Sequence, residues 1–313
     1  MQMKLNNKFA LAFVGLALSL CSLTALAMDT EPCPLMKAGK YKGQCIDTSG
    51  KRAVKIVSQS ADSITVLNFR KAGVFYKAIL PLNEIGSLSY EVVDLNAKPV
   101  NFLSLINISH TEMRFKLKPG SVIKLYPNDE HDGGAPIETE TDVMVSMNYM
   151  APKGVPYDPV KGFNEDLYAS VLQIFSTQDE VKKRFTENKF NVYEVDLNVT
   201  PDQAGSILRE AMMVSHRIQY GVAYDTWSSN CTTFLFDILD SGLHVKDQKP
   251  YRFSPLIAND TGLKPALKAL VKRNLVSTST KVELLNAEFG YGVFPSNSNR
   301  YFNTWIGKSL DSH

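Results

Sequence analysis

The chain is organised around residues 224–240, which read YDTWSSNCTTFLFDILD. The apolar residues of this stretch repeat at helical spacing and predict one face of a buried helix. They are Phe234, Leu235, Ile238 and Leu239. Ser229 or Asn230 supplies a short polar side chain that caps free backbone N–H groups, and Gly242 is typical of a helix end. Cys231 therefore lies in the first turn of the predicted helix.

The position of Cys231 has a chemical consequence. A helix N-terminus carries a partial positive charge, which favours a thiolate over a thiol. The free backbone N–H groups of Cys231 and Thr232 point the same way and are expected to hold an oxyanion, with Asn230 as a supporting residue. The alternative is that Cys231 is a small buried apolar residue, which is common for a free cysteine.

The beginning of the chain predicts export. Two lysines flank the start of an almost wholly apolar run at residues 9–20, and Ala-Leu-Ala follows at residues 25–27. This pattern predicts a secretory signal peptide over residues 1–27, because the apolar run is short for a membrane span. Cys21 would suit a lipoprotein signal, but Leu20 stands where that processing requires a small residue. We therefore expect a periplasmic or secreted protein.

Export makes the four cysteines informative. Cys21 leaves with the signal peptide. Cys33 and Cys45 lie close together near the mature start, and in an oxidising compartment such a pair usually forms a disulfide. Cys231 is then a lone thiol, which is either deeply buried or retained for chemistry. Its place at a helix start favours chemistry.

Charge and composition exclude several classes of partner. The formal net charge of the 313 residues is +2, with no basic or acidic run of note. This argues against a nucleic-acid partner and leaves a small or uncharged substrate open. No stretch after the signal peptide is long and apolar enough to span a bilayer. No two histidines have the close spacing of a zinc site, so neither a metal nor a cofactor is expected.

The rest of the chain divides into three segments. Short strand patterns separated by turns predict a β-rich module over residues 28–100, for packing or recognition. Residues 101–250 carry the cysteine helix. Residues 251–313 form an extension that begins with an amphipathic helix at 263–274. Its aromatic, glycine-rich stretch at 289–294 either lines a substrate pocket or packs on the core.

A second helix start follows a strand pattern at residues 192–199. It reads Thr200-Pro201-Asp202-Gln203. Thr200 is expected to cap the helix, Pro201 takes the first helical position, and Gln203 closes a capping box.

His110 stands at the start of a run in which polar and apolar residues alternate. On a strand, this alternation places His110 and Glu112 on one face and the apolar residues on the other. A surface histidine on a sheet is the alternative for His110 taken alone. Asn148 lies on a later apolar strand at residues 143–150.

These motifs resemble the Lnb-type N-terminal periplasmic domain, which is found in exported proteins of Gram-negative bacteria. The run HTEMRF at residues 110–115 is similar to the family's His-Thr-x-Leu-Arg strand, and NCTT at 230–233 to its Asn-Cys-x-Thr helix start. Lys161-Gly162-Phe163 and the strand at 192–197 lie between them in the family's order. The resemblance covers roughly residues 100–250.

The resemblance implies an α+β fold of the permuted papain-like type, related to NlpC/P60 enzymes, with the β-rich module in front of it. It also implies transfer of an acyl group through a cysteine thioester, as in lipoprotein N-acyltransferases. Cys231 attacks, His110 keeps the thiol ionised, and Asn148 orients the imidazole, with Glu112 as the alternative. The expected partner is an acyl-bearing lipid or peptide, with peripheral membrane contact.

Two other functions share these residues. If water accepts the acyl group instead of an amine, the protein is a cysteine amidase or peptidase of the NlpC/P60 type. If the site has degenerated, the fold serves as a non-catalytic binding module.

Overall fold

The computed structural model of the protein describes residues 33–37, 39–95, 109–129, 134–156, 167–225, 229–245, 250–251 and 263–295. The elements below belong to one compact unit that begins at Pro34. The predicted signal peptide and Lys161-Gly162-Phe163 lie outside the described residues.

One large sheet dominates the described part of the chain. Its strands are rich in alternating apolar residues, as the strand patterns predict. They are β1 (Lys55–Gln59), β2 (Ser63–Lys71), β3 (Val74–Pro81), β4 (Ile85–Asp94), β5 (Ser109–Leu117), β6 (Ile123–Pro127), β7 (Glu138–Glu140), β8 (Asp142–Met150), β9 (Tyr168–Phe175), β10 (Asn191–Asp196), β11 (Ala223–Tyr224) and β12 (Glu283–Leu284).

The strand order is β12-β10-β4-β5-β8-β9-β2-β3-β6-β7, with β1 on β2 and β11 on β9. The β2–β9 pair is parallel, and the other pairs are antiparallel. β4 and β5 lie near one end of this order, with β10 on one side and β8 on the other. Strands from the predicted module at 28–100 thus share a sheet with strands from 101–250, and the domain boundaries stay a prediction.

The helices connect and cover the strands. They are α1 (Thr177–Lys182), which continues as a π-helical segment (Lys183–Asn188), α2 (Pro201–Ile218), α3 (Cys231–Gly242), α4 (Leu263–Lys272) and α5 (Leu285–Glu288). A 3-10 turn, Leu82–Glu84, precedes β4. The mixed helix-and-sheet class that the sequence predicts is confirmed.

The sheet is covered on both faces at β10, β4 and β5. On one face, α2 and α3 pack on a large apolar core that includes Tyr90 of β4 and Met113 of β5. On the other face, Phe185 of the π-helical segment packs with Val93 and Val192. The face of β5 that carries its polar residues is therefore buried rather than solvated.

The C-terminal aromatic stretch packs on this second cluster. Phe289, Tyr291 and Phe294 lie against it, with their ring centroids 5.1–6.3 Å from that of Phe185. Of the two interpretations of residues 289–294, these contacts are those of core packing.

The start of α2 has the predicted capping box. The Thr200 side chain accepts from the Gln203 backbone N–H, and the Gln203 side chain accepts from the Thr200 N–H at 2.8 Å. Pro201 is the first residue of the helix. Both bonds join residues within one turn, which is why the sequence pattern alone predicts them.

Two features bear on the expected export. Cys33 and Cys45 are disulfide-bonded, which confirms the expected disulfide, and Cys231 is the free cysteine of the described residues. No helix in the described part of the chain is long and apolar enough to cross a membrane.

Candidate active site

Asn230 determines where α3 begins. Its side-chain oxygen accepts from the backbone N–H groups of Thr232 at 2.9 Å and Thr233 at 3.0 Å, and the Thr233 hydroxyl accepts from the Asn230 N–H. This reciprocal cap fixes Cys231 as the first residue of the helix, where its side chain is 5 % exposed. The predicted cap is present, with Asn230 rather than Ser229 as the capping residue.

The cap also changes the expected oxyanion site. The Thr232 N–H donates to Asn230 and is committed to the cap. Of the two N–H groups that the sequence suggests as oxyanion donors, the one of Cys231 takes no part in the cap. Thr232 instead points its hydroxyl towards Cys231, with 4.0 Å between the oxygen and Sγ.

The sheet separates beside this helix start. β5 and β8 pair only over residues 113–116 and 142–145, and both strands continue beyond this register. His110 lies on β5 beyond this register, where β5 still pairs with β4, and Ser146 lies on β8 beyond it, where β8 still pairs with β9. α3 packs against both strands, and Thr111 contacts Thr232 with 3.3 Å between their hydroxyl oxygens. The gap between the strands is where the helix start meets the histidine.

His110 and Cys231 interact with each other, and each is a main influence on the pKa of the other. Burial opposes a charge on the imidazole, but the charge of Cys231 and hydrogen bonds to Cys231 and Glu112 raise the pKa of His110 to about 9. Burial likewise opposes a thiolate, but His110 and Thr111 lower the pKa of Cys231 to about 7. The two groups therefore form a thiolate–imidazolium pair between about pH 7 and about pH 9.

Two side chains hold the other end of the imidazole. His110 Nε2 lies 2.7 Å from Ser146 Oγ and 3.3 Å from Glu112 Oε1. Because both contacts engage Nε2, Nδ1 is the ring nitrogen that remains for the thiol. Asn148 donates to Ser146 Oγ at 3.2 Å. The sequence suggests Asn148 first, and Glu112 as the alternative, to orient the imidazole. In the structure Asn148 is linked to the histidine through Ser146, whereas Glu112 contacts it directly.

Glu112 is completely buried and ionised. Its Oε1 accepts a hydrogen bond from Arg184 Nη2 and also faces His110. Burial would raise the pKa of Glu112, but the charges and hydrogen bonds of Arg184 and His110 hold it below its usual value. The site therefore contains a buried chain of alternating charges: Arg184, Glu112, His110 and Cys231.

Sequence reasoning missed Ser146 and Arg184 as members of the site. The signal for Ser146 is its position two residues before Asn148, which places both on one face of β8. Arg184 gives no such signal, because nothing in the sequence around it relates it to β5. Only the packing of that segment on the sheet brings it to Glu112.

The thiolate also has polar neighbours on the core side of β5. Thr111 lowers the pKa of Cys231 through its backbone N–H and its hydroxyl. Tyr90, fully buried on β4, lies beside Thr111 and Thr232, and burial raises its pKa, so its hydroxyl stays neutral. No cluster of three or more metal-ligating side chains occurs among the described residues.

Comparison with known proteins adds one finding. A family model matches residues 129–258 of the chain. It is the Lnb N-terminal periplasmic domain. The resemblance that the sequence motifs suggest is thereby confirmed for this segment. No curated protein and no solved structure matches the chain.

The Lnb-type segment contains only part of the site. Cys231, Ser146, Asn148 and Arg184 lie within it, whereas β5, with His110 and Glu112, precedes it. The site is thus completed by a strand outside the matched residues. The periplasmic family and the disulfide both fit a periplasmic location.

Proposed function

We propose that this protein is a cysteine-dependent acyl-transfer enzyme in which Cys231 carries the acyl group as a thioester. The observation that supports this most directly is the pairing of Cys231 with His110 at the start of α3, in which each side chain shifts the pKa of the other. A thiolate is the nucleophilic form of cysteine, and a pKa of about 7 makes it available at neutral pH. A cysteine with only a packing role would need no imidazole beside it.

The reaction begins with attack of the Cys231 thiolate on the carbonyl carbon of the acyl donor. A carbon–sulfur bond forms, and the carbonyl oxygen takes the negative charge of a tetrahedral intermediate. The backbone N–H of Cys231 is the donor best placed to hold that oxyanion. The His110 imidazolium then gives its proton to the leaving group, the bond to the leaving group breaks, and a thioester remains.

Transfer reverses the proton path. The neutral imidazole of His110 takes a proton from the acceptor as the acceptor attacks the thioester. The carbon–sulfur bond breaks, and the thiolate–imidazolium pair is restored. Glu112 stabilises the imidazolium through Nε2, and Ser146, itself bonded to Asn148, fixes the plane of the ring.

The resemblance to the Lnb-type domain supports a lipid as the acyl donor and an amine as the acceptor, with peripheral contact to the membrane that supplies the lipid. It also supports export by the signal peptide at residues 1–27. The order of a histidine strand before a cysteine helix, β5 before α3, supports a permuted papain-like arrangement.

The test is a mass spectrum of the protein after incubation with bacterial phospholipid. We expect a mass increase of one acyl chain on the peptide that contains Cys231, removable by hydroxylamine as a thioester is. Cys231→Ser should acquire no such label while keeping its circular dichroism spectrum. Absence of the adduct from the folded wild-type protein, with phospholipid and with acylated peptide alike, would contradict the proposal.

The acceptor is identified in the same experiment. Addition of a peptide amine should release the label as an acyl amide. Release as free fatty acid at the same rate, with or without the amine, would instead assign the protein to the hydrolases.

A further inference from the structure

Three glutamates lie side by side across three adjacent strands. Glu91 of β4 is the direct register partner of Glu194 on β10 and of Glu112 on β5. Glu91 and Glu112 are fully buried, and Glu194 is 7 % exposed. Like charges directly opposite each other destabilise a sheet, and burial increases the cost. The row therefore needs either cations or protons.

The two outer glutamates have cations. Glu112 accepts from Arg184. Glu194 Oε1 lies 3.2 Å from Lys116 Nζ and 3.8 Å from Arg114 Nη1. Both outer carboxylates are therefore compensated by positive charge.

Arg114 is itself shared among several carboxylates. It donates to Asp142 at 2.8 Å and to Glu288 at 2.7 Å, so little of its charge is left for the row of glutamates. Carboxylates thus outnumber cations in this buried cluster.

The middle glutamate has no such partner. Both carboxylate oxygens of Glu91 are buried and hydrogen-bonded to nothing among the described residues. The charged groups that face it are Glu194, Glu112, Arg114 and Arg184. Burial, followed by the charges of Glu194 and Glu112, raises the pKa of Glu91 well above its usual range, against the attraction of the two arginines. A buried carboxyl group in this position takes up a proton.

That proton has an acceptor. Glu112 Oε2 is also buried and hydrogen-bonded to nothing among the described residues, since Oε1 takes the contacts from His110 and Arg184. A protonated Glu91 supplies an O–H donor on the strand directly opposite. One proton thus satisfies two otherwise unpaired buried groups.

We propose that Arg184 and Glu91 are positioning residues for His110: Arg184 keeps Glu112 ionised against the imidazole, and Glu91 carries a proton that it donates to Glu112 Oε2. The inference concerns the same His110–Cys231 pair and so rests on the proposed function. The proposal assigns a charge state to each of the five buried groups. Arg184 and His110 are positive, Glu112 and Cys231 are negative, and Glu91 is neutral.

The first test is Arg184→Met, read out by the pH dependence of Cys231 alkylation with iodoacetamide. Without Arg184 the four buried groups carry a net negative charge, which a proton on Glu112 or on Cys231 relieves. Either proton lowers the thiolate fraction, so the thiol pKa should rise by about one unit. At pH values below the thiol pKa of both the wild type and the variant, alkylation should then be about tenfold slower in the variant. Arg184→Lys should restore part of the rate.

Arg273→Met is the matched control. Arg273 forms a comparable ion pair, at 2.7 and 2.8 Å, with Asp240, which lies near the opposite end of α3 from Cys231. Both variants should lower the melting temperature, and only Arg184→Met should move the thiol pKa. A folded Arg184→Met protein with the wild-type thiol pKa would overturn the role of Arg184.

The second test is Glu91→Gln, which mimics a protonated glutamate in shape and keeps a donor for Glu112. The infrared difference spectrum between wild type and variant at neutral pH should contain the carbonyl stretch of a carboxylic acid, and the thiol pKa should stay unchanged. An ionised Glu91 would give a carboxylate band instead. Its removal would take a negative charge from beside Glu112 and lower the thiol pKa, which would overturn the inference.

These readouts separate the two proposals. If Cys231 forms no thioester but Arg184→Met still raises the thiol pKa, the acyl-transfer function fails and the positioning roles stand. If the thioester forms while the infrared band and the pKa shift are both absent, the positioning roles fail alone.

Discussion

Cys231 is a buried side chain that ionises near neutral pH, and its neighbours explain how. Burial alone would raise the thiol pKa, whereas His110 and Thr111 bring it to about 7. His110 is shifted the opposite way, to about 9. Each charge is the main reason that the other persists, so the protonation of one residue is a property of the pair.

The pH dependence of the two reactions of Cys231 follows from these values. Alkylation needs only the thiolate, so its rate should rise through about pH 7 and then stay high. Acyl transfer also needs the imidazolium, so its rate should rise through about pH 7 and fall through about pH 9. In His110→Ala the thiol pKa should rise, and alkylation at neutral pH should slow about tenfold or more.

His216→Ala is the control for that change. His216 lies on α2, where its Nδ1 accepts from the Ile56 backbone N–H, and it is not part of the site. Its alkylation profile should match that of the wild type. A profile for His110→Ala that also matches the wild type would refute the ion pair.

The partners of the imidazole should differ in their effects on the thiol. Glu112→Gln removes the negative charge at Nε2, so the pKa of His110 should fall and that of Cys231 should rise by about one unit. Ser146→Ala removes a neutral hydrogen bond and should have a smaller effect. Asn148→Ala acts only through Ser146 and should have the smallest. Alkylation profiles of the three variants measure the order, and an effect of Asn148→Ala above that of Glu112→Gln would contradict the assignment.

At the scale of single elements, the start of α3 does two tasks with the same residues. Asn230 satisfies two backbone N–H groups that the helix leaves free, and in doing so it holds Cys231 towards the gap between β5 and β8. A helix that began one turn later would carry the thiol away from β5.

Asn230→Ala should therefore affect both stability and chemistry. Loss of the cap should lower the free energy of unfolding by about 1–2 kcal/mol, as measured by urea denaturation. The thiol pKa should rise, because the first turn no longer holds Cys231 against His110. Thr200→Ala removes the cap of α2 and should lower stability by a similar amount without moving the thiol pKa. Equal thiol pKa values in the two variants would show that the α3 cap is structural only.

At the scale of the whole molecule, the strand that carries His110 lies between strands from different parts of the chain. β5 pairs with β4, which precedes it, and with β8, which follows it, while β10 lies on the far side of β4. Tyr90, which lies beside Thr111 and Thr232, and Glu91, which faces Glu112, are both on β4. The residues before 101 are thus part of the site's support.

A fragment that starts at residue 101 should not fold. Without β4, both β5 and β10 lose their neighbour and the core loses buried residues such as Tyr90 and Val92. Circular dichroism and amide proton dispersion of the fragment measure this. A folded fragment with a reactive Cys231 would instead establish residues 28–100 as a separable module.

The sequence by itself determined the features that depend on neighbours within a turn or a strand. The capping box at Thr200 and the cap of α3, for which the sequence offers Ser229 or Asn230, act within one helical turn. The alternation after His110 sets the two faces of β5. The disulfide of Cys33 and Cys45 joins cysteines of a short loop, and export chemistry favours it. Local hydrogen bonds and side-chain periodicity act the same way in any fold, so these patterns are readable without coordinates.

Only the tertiary structure decided which side chains contact each face of β5 and β8. The alternation in β5 places Glu112 opposite the apolar side, but the π-helical segment that covers it, and brings Arg184 to it, comes from a distant part of the chain. Asn148 and Ser146 share a face of β8, and only the separation of β8 from β5 decides that Ser146 touches the histidine. The protonation of buried groups depends on the sum of the charges around them, which the folded arrangement alone sets.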